Sequence, residues 1–297
     1  LSTPDWKSLY PFASHELRLA GLRYHYLDEG RGEPLLMVHG NPTWSFYWRS
    51  FVGRFRDRHR VVVPDHIGCG LSDKPQDYAY RLAQHVDNLK QLIVSLELKR
   101  ITLLAHDWGG AIGLGAAVDM PERFARVVLF NTGAFLGERC PWRIRVCRTP
   151  MVGELVVRGL NAFAASALIM ATNRAGGLAP EVKAGLIAPY DNWEHRIATH
   201  RFVLDIPLAK SHPSYATLAH IEQGLPRLSA LPKSLIWGMR DWCFTPKFLA
   251  RFRQIWPQAE VHELASAGHY VIEDEPDRCL DLVDDFLRRH PTSENGS

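Results

Sequence analysis

No apolar run in the 297-residue chain approaches the roughly 20 residues needed to cross a bilayer. The opening stretch LSTPDWKSLYPF also carries no basic segment followed by an apolar one, so neither a spanning helix nor an obvious export signal is expected. The five cysteines, at 69, 140, 147, 243 and 279, are odd in number, form no C-x-x-C pair and lack the spacing of a zinc site or a cross-linked small scaffold. Reduced thiols in a cytoplasmic protein are the expectation. Charge of one sign is missing too: 35 basic and 32 acidic side chains leave +3, with no long run that would track a phosphate backbone. Nucleic acid is therefore not an expected partner. No H-E-x-x-H, Walker or EF-hand pattern occurs, and Gly68-Cys69-Gly70 lacks the third glycine and the following helix of a dinucleotide site. That segment reads as a turn, and no metal, nucleotide or other cofactor is expected.

The chain does have an ordinary globular composition, 46% hydrophobic and 23% charged, enough to bury a large core. The runs LRYHYLD, PLLMV and RVVVP read as strands, the last two continuously apolar as buried strands of a parallel sheet are. Leu82, Val86, Leu89, Leu92, Ile93 and Leu96 recur at helical spacing before the strand RITLLA. That strand runs into a small-residue helix stopped at Met120 by Pro121, and the strand ARVVLF follows. The alternation then breaks. Residues 135–213 are helical in flavour but irregular and punctuated by prolines, which suggests an inserted lid. It resumes with SLIWG, a helix from Pro246 capped by Thr245, the strand AEVHEL and an amphipathic helix from Pro276 to Arg289. The expected architecture is α/β, a doubly wound, mostly parallel sheet, with 1–134 and 214–297 as core and 135–213 as a helical cap. The basic stretch Arg139, Arg143, Arg145 and Arg148, interleaved with Trp142, Ile144 and Val146, reads as a solvated face near a cap hinge.

Chemistry concentrates in Ala105-His106-Asp107-Trp108-Gly109, between a buried strand and a small-residue helix, the context of a nucleophile elbow. Serine is usual at its centre. Aspartate changes the reaction, because a carboxylate attacking an acyl carbon makes a high-energy anhydride, whereas attack on saturated carbon makes an ordinary ester. The plainer alternative is that Asp107 only caps the helix at its positive end. Chain order favours catalysis: Asp241 follows SLIWG and His269 follows AEVHEL, giving nucleophile, acid and histidine in the order of this fold, at strand ends where active sites collect. His269 would activate water against the ester, with Asp241 orienting the ring. Asn41, in His39-Gly40-Asn41-Pro42, and Trp108 offer backbone N–H groups for an oxyanion hole and uncharged side-chain donors for a departing anion. As structural residues they would be a turn asparagine and a core aromatic. Asn131, ending ARVVLF, is an alternative position for orienting the histidine, although an amide supplies no charge.

HGNPTWSFYWR, VVVPDHIGCGLSDKP, LLAHDWGG, IWGMRDWCF and AGHYVIEDEP, in that order, resemble the motifs of the haloalkane dehalogenases over essentially the whole chain. The resemblance implies an α/β-hydrolase fold, Asp107 as nucleophile, His269 as base, Asp241 as acid, and Asn41 with Trp108 stabilising a released halide ion. A small apolar substrate is implied. The pairing of Asn41 with Asp241, and cap stretches such as LAPYDNWEHRIATHRFVLDIPL, are similar to a branch that shades into the β-lactone decarboxylases of bacterial long-chain olefin synthesis. There the released anion would be a carboxylate. Halide displacement is the leading expectation and lactone decarboxylation its closest rival. An epoxide hydrolase would need cap tyrosines, for which Tyr190 is the one clear candidate inside the cap and Tyr215 lies just beyond it, and a non-catalytic receptor on a hydrolase fold is the reading of another class.

Overall fold

The computed structural model describes residues 4–137 and 140–292. One sheet holds β1 (Ser14–Leu19), β2 (Leu22–Glu29), β3 (Pro34–Val38), β4 (Arg60–Pro64), β5 (Ile101–Asp107), β6 (Phe124–Thr132), β7 (Lys233–Gly238) and β8 (Glu260–Leu264). Their order across the sheet is β1-β2-β4-β3-β5-β6-β7-β8. β1 and β2 run antiparallel to their neighbours, and β4 through β8 are mutually parallel. The chain leaves β4 and returns on the far side of β3 to form β5, so the order reverses there. A crevice opens beyond the carboxyl ends of β3 and β5, where ligands of open α/β sheets bind.

Core helices are α1 (Arg49–Phe55), α2 (Leu82–Ser95) and α3 (Trp108–Asp119). After β6 come α4 (Trp142–Val146), α5 (Val152–Glu154) running into a π-helical turn (Leu155–Gly159), α6 (Ala162–Met170), α7 (Pro180–Ile187) and α8 (Ile197–Leu204). The chain ends with α9 (Tyr215–Gly224), α10 (Pro246–Ile255), α11 (Val271–Asp274) and α12 (Pro276–Arg289). Alternate residues of the buried strands feed two cores. Leu36 and Val38 of β3 pack with α2 and α3, while Leu35 and Met37 pack with Phe51 of α1 and Phe286 of α12. Truncating any of these buried leucines to alanine would cost about 2–5 kcal/mol. Among the described residues no single helix is long and apolar enough to cross a membrane.

Two local readings change. β1 went unrecognised because SHELRL is an edge strand that alternates exposed and half-buried residues and fully buries only Leu19. Thr245 does occupy the cap position of α10, but its side chain makes no capping bond, and Pro246 at the first helical position sets the start instead. In the basic stretch, Arg143 and Arg145 are exposed and Arg148 donates to the carbonyls of Val203 and Leu204, while Arg139 lies outside the described residues.

Candidate active site

β5 delivers Asp107 to the crevice and α3 begins at the next residue. The turn between them forces Asp107 to φ +53°, ψ −129°, a conformation that costs an L-residue about 1–3 kcal/mol. Missing side chains make it possible. A Cβ on Gly40 would stand 2.1 Å from the Asp107 carboxylate, and one on Gly109 would stand 2.1 Å from the Val38 carbonyl. The Thr132 hydroxyl, at the end of the neighbouring β6, donates to the Asp107 carbonyl and fixes the turn from the other side.

The two oxygens of the Asp107 carboxylate are not equivalent. Oδ1 accepts the Asn41 backbone N–H at 2.7 Å, whereas Oδ2 faces Nε2 of His269 at 3.6 Å, too far for a hydrogen bond. Oδ2, the oxygen without the Asn41 bond, is the one that would attack a substrate if this carboxylate is a nucleophile. Burial pushes the Asp107 carboxyl above the ordinary carboxylate range, against the pull of His269 and the N–H groups of Asn41 and Trp108. On the other face of the imidazole, Nδ1 of His269 meets Oδ2 of Asp241 at 2.8 Å. Burial alone would lower the histidine, but Asp241 and Asp107 outweigh it, and its pKa is raised. The Asp107 carboxylate and the Asp241-held imidazole thus stand in the arrangement that a nucleophile–base pair would need, with Asp241 itself buried.

Two supports lay beyond the sequence reading. Asn131 touches the acid rather than the histidine: its Nδ2 donates to Oδ2 of Asp241 and to the Gly238 carbonyl, both at 3.0 Å, and its Oδ1 accepts the Gly238 N–H at 2.7 Å. It clamps the end of β7 to β6. His106, the residue before Asp107, points to the opposite sheet face, where its Nε2 lies 2.8 Å from the His269 carbonyl oxygen and its ring lies against the His269 ring. Burial, with His269 alongside, drives His106 well below the usual imidazole range, so it serves as a neutral donor. Its place beside Asp107 in the sequence was the only signal available.

Asn41 and Trp108 both border the cavity over Asp107. One Nδ2 hydrogen of Asn41 is engaged by the Thr199 carbonyl of α8 at 3.1 Å, which ties the loop to the helices above the sheet. The Trp108 ring packs against Phe202 of α8. The cavity measures about 480 Å³, within the range of small-molecule sites. Its floor is Asn41, Asp107, Trp108 and His269, and its walls are mostly apolar, including Phe135, Phe163, Ala167 and Leu218. Trp142 lines the cavity as well, but Trp193 and Tyr215 do not, and neither does Tyr190, whose hydroxyl is spent on the Thr43 carbonyl at 3.2 Å. Neither of the two tyrosines considered as donors for an epoxide-opening site is therefore part of this cavity wall.

Residues 33–276 match the alpha/beta hydrolase fold family. The chain belongs to that family. This hydrolase is 42% identical over 291 residues, 96% of its own chain and 91% of the other, to a cis-3-alkyl-4-alkyloxetan-2-one decarboxylase of Shewanella oneidensis. It is 35% identical over 286 residues to haloalkane dehalogenase 2 of Mycobacterium bovis, covering 95% of this chain and 96% of that one. Among solved structures, a haloalkane dehalogenase of Agrobacterium tumefaciens superposes with a TM-score of 0.83 at 27% identity, over 93% of this hydrolase and 96% of its counterpart. Within the α/β hydrolases the chain is a haloalkane dehalogenase-like enzyme with oxetanone decarboxylases among its relatives.

Proposed function

We propose that this hydrolase opens cis-3,4-dialkyl β-lactones and releases an alkene and carbon dioxide, with Asp107 as nucleophile. The observation that carries this reading is 42% identity to an oxetanone decarboxylase along 96% of the chain, against 35% to a haloalkane dehalogenase. An apolar cavity of about 480 Å³ above Asp107 suits two alkyl chains. In this reading residues 135–213 form the cap that supplies most of the walls, and the five unpaired cysteines fit a cytoplasmic setting.

Oδ2 of Asp107 attacks the ring carbon that bears oxygen, the carbon–oxygen bond breaks, and the ring oxygen departs as part of a carboxylate facing Asn41 and Trp108. The bond from the neighbouring carbon to that carboxylate then breaks. Its electron pair forms the double bond and expels Asp107, giving carbon dioxide and an unmodified enzyme. Inversion in the first step followed by anti elimination in the second converts a cis lactone into a cis alkene.

Halide displacement is the second reading, favoured by the two uncharged donors beside Asp107, Asn41 and Trp108, and by the dehalogenase relatives. There the alkyl ester on Asp107 is hydrolysed by water that His269 deprotonates, while Asp241 holds the ring and Asn41 N–H stabilises the oxyanion on Oδ1. Incubation with a cis-disubstituted β-lactone and, separately, with 1-bromobutane, following alkene and bromide, separates the two. Alkene from the lactone with little bromide is the expected result; bromide without alkene overturns the first reading in favour of the second.

A further inference from the structure

Twelve large hydrophobic side chains are exposed among the described residues, and seven of them fall between residues 142 and 169. They include Trp142 at 70%, Met151 at 85%, Leu155 at 58%, Leu160 at 71% and Ile169 at 75% exposure. About a tenth of the chain thus carries more than half of the exposed large hydrophobic side chains among the described residues, well beyond the scattered single residues of an ordinary surface. The segments are contiguous. Met151, Val152 and Leu155 lie within one helical turn of each other, α6 packs on the π-helical turn, and a Cβ on Gly153 of α5 would strike the Cys147 carbonyl just after α4. The opposite faces of the same helices, with Ile144, Val157 and Leu168, are buried.

Among the described residues, the charge on this face that is not in an ion pair has one sign. Arg143 and Arg145 are exposed on α4 and form no ion pair among the described residues, and between residues 140 and 153 there is no acidic side chain. Among the described residues the nearest in sequence, Glu154, is paired with Arg158 at 2.6 Å. The patch also runs into the active-site cavity, because Trp142, Arg143 and Val146 are both exposed and part of the cavity wall. The stretch 152–159 and α6 meet at 71°, and the nine residues of α6 span about 13 Å, so neither is long enough by itself to cross a bilayer.

We infer that the face formed by α4, α5 and α6 docks on an anionic membrane surface, with the exposed apolar side chains entering the headgroup boundary and Arg143 and Arg145 over acidic lipid. A Trp and arginine rim around an apolar face is the composition of an interfacial helix, and acidic lipid supplies the complementary charge. A long-chain substrate would then pass from the bilayer into the cavity along a continuous apolar path.

Flotation with vesicles of phosphatidylglycerol and phosphatidylcholine, against phosphatidylcholine alone, tests this directly. Wild type is expected to float with the anionic vesicles and to be released by high salt. Met151→Asp/Leu155→Asp, which changes residues outside the cavity wall, should lower the bound fraction about tenfold. Arg145→Glu should lower it at least fivefold on anionic vesicles only, about the worth of one basic residue at such a surface. Circular dichroism verifies that each variant is folded. No vesicle binding by wild type, or equal binding by all folded variants, overturns the proposal. A wild type that stays off vesicles and sediments as an oligomer, split to monomers by Met151→Asp/Leu155→Asp, reassigns the face to contacts between copies of the chain.

Discussion

The floor and the roof of the cavity follow opposite rules. On the floor, the three titratable side chains are each held at one atom or more by fixed partners: Asp107 Oδ1 by the Asn41 N–H, His269 Nδ1 by Asp241, and Asp241 by Asn131 and the Cys243 N–H. The roof, built from α4, the π-helical turn and α6, is largely apolar side chains with short helices and an outer face left open. Rigid hydrogen bonding sets where the reacting oxygen sits, and loosely shaped apolar packing sets what can reach it. On the proposed reading, one region would determine the reaction and the other its substrate.

Removing the nucleophile should break the floor outright. Asp107→Ala is expected to lose on the order of 10⁵-fold in turnover of lactone and bromoalkane alike, measured under saturating substrate. A variant keeping more than a hundredth of either activity would mean that the reaction does not pass through this carboxylate.

His269→Ala tests the floor more selectively. Alcohol formation from a bromoalkane should fall about 10²–10⁴-fold, with an alkyl adduct on Asp107 visible by mass spectrometry. Alkene formation from a lactone, which needs no proton transfer, should fall far less. The pH profiles follow from the same logic. A raised His269 pKa means that the neutral base is lost as pH falls through a midpoint above the ordinary imidazole value of about 6.5, so alcohol formation declines there while alkene formation stays level. Parallel profiles for the two products would contradict separate routes.

Asn131→Ala probes how far the floor depends on its neighbours. Loss of the bonds to Gly238 and Asp241 should cost about 1–3 kcal/mol of stability, read by denaturant unfolding. An Asp241 carboxylate deprived of that donor holds the histidine proton more firmly, so the acid limb of alcohol formation should move upward. A purely structural role would leave that limb in place.

The smallest effect belongs to the roof. Ala167→Trp should leave short substrates nearly unchanged and weaken long ones, because each buried methylene contributes about 0.8 kcal/mol, or roughly fourfold in kcat/KM. A homologous series of substrates reads this as an earlier plateau with chain length.

How legible each region was in the sequence follows the same division. The elbow and the last helix could be read because they are local: small residues flank Asp107, and the apolar period of α12 runs from Pro276 to Arg289 as expected. The role of Asn131 was not, since it exists only where β6 meets β7, two strands separated by about a hundred residues of intervening chain. His106 was hidden for a related reason, because strand alternation sends it to the face away from the cavity. The roof offered proline punctuation but no clear period, and the short helices with a π-helical turn explain why.

The grip of Asn41 on a single oxygen of Asp107 has an isotopic consequence. When water attacks the ester carbon, the departing alcohol takes Oδ2 with it and the water oxygen fills the vacated place. In ¹⁸O-water the first alcohol therefore carries ordinary oxygen and later ones carry the heavy isotope. Oδ1, pinned by the Asn41 N–H, keeps its original atom, so Asp107 never acquires more than one heavy oxygen. On the lactone route the carbon–Oδ2 bond is the one that breaks, and Asp107 emerges from every turnover with both of the oxygens it began with.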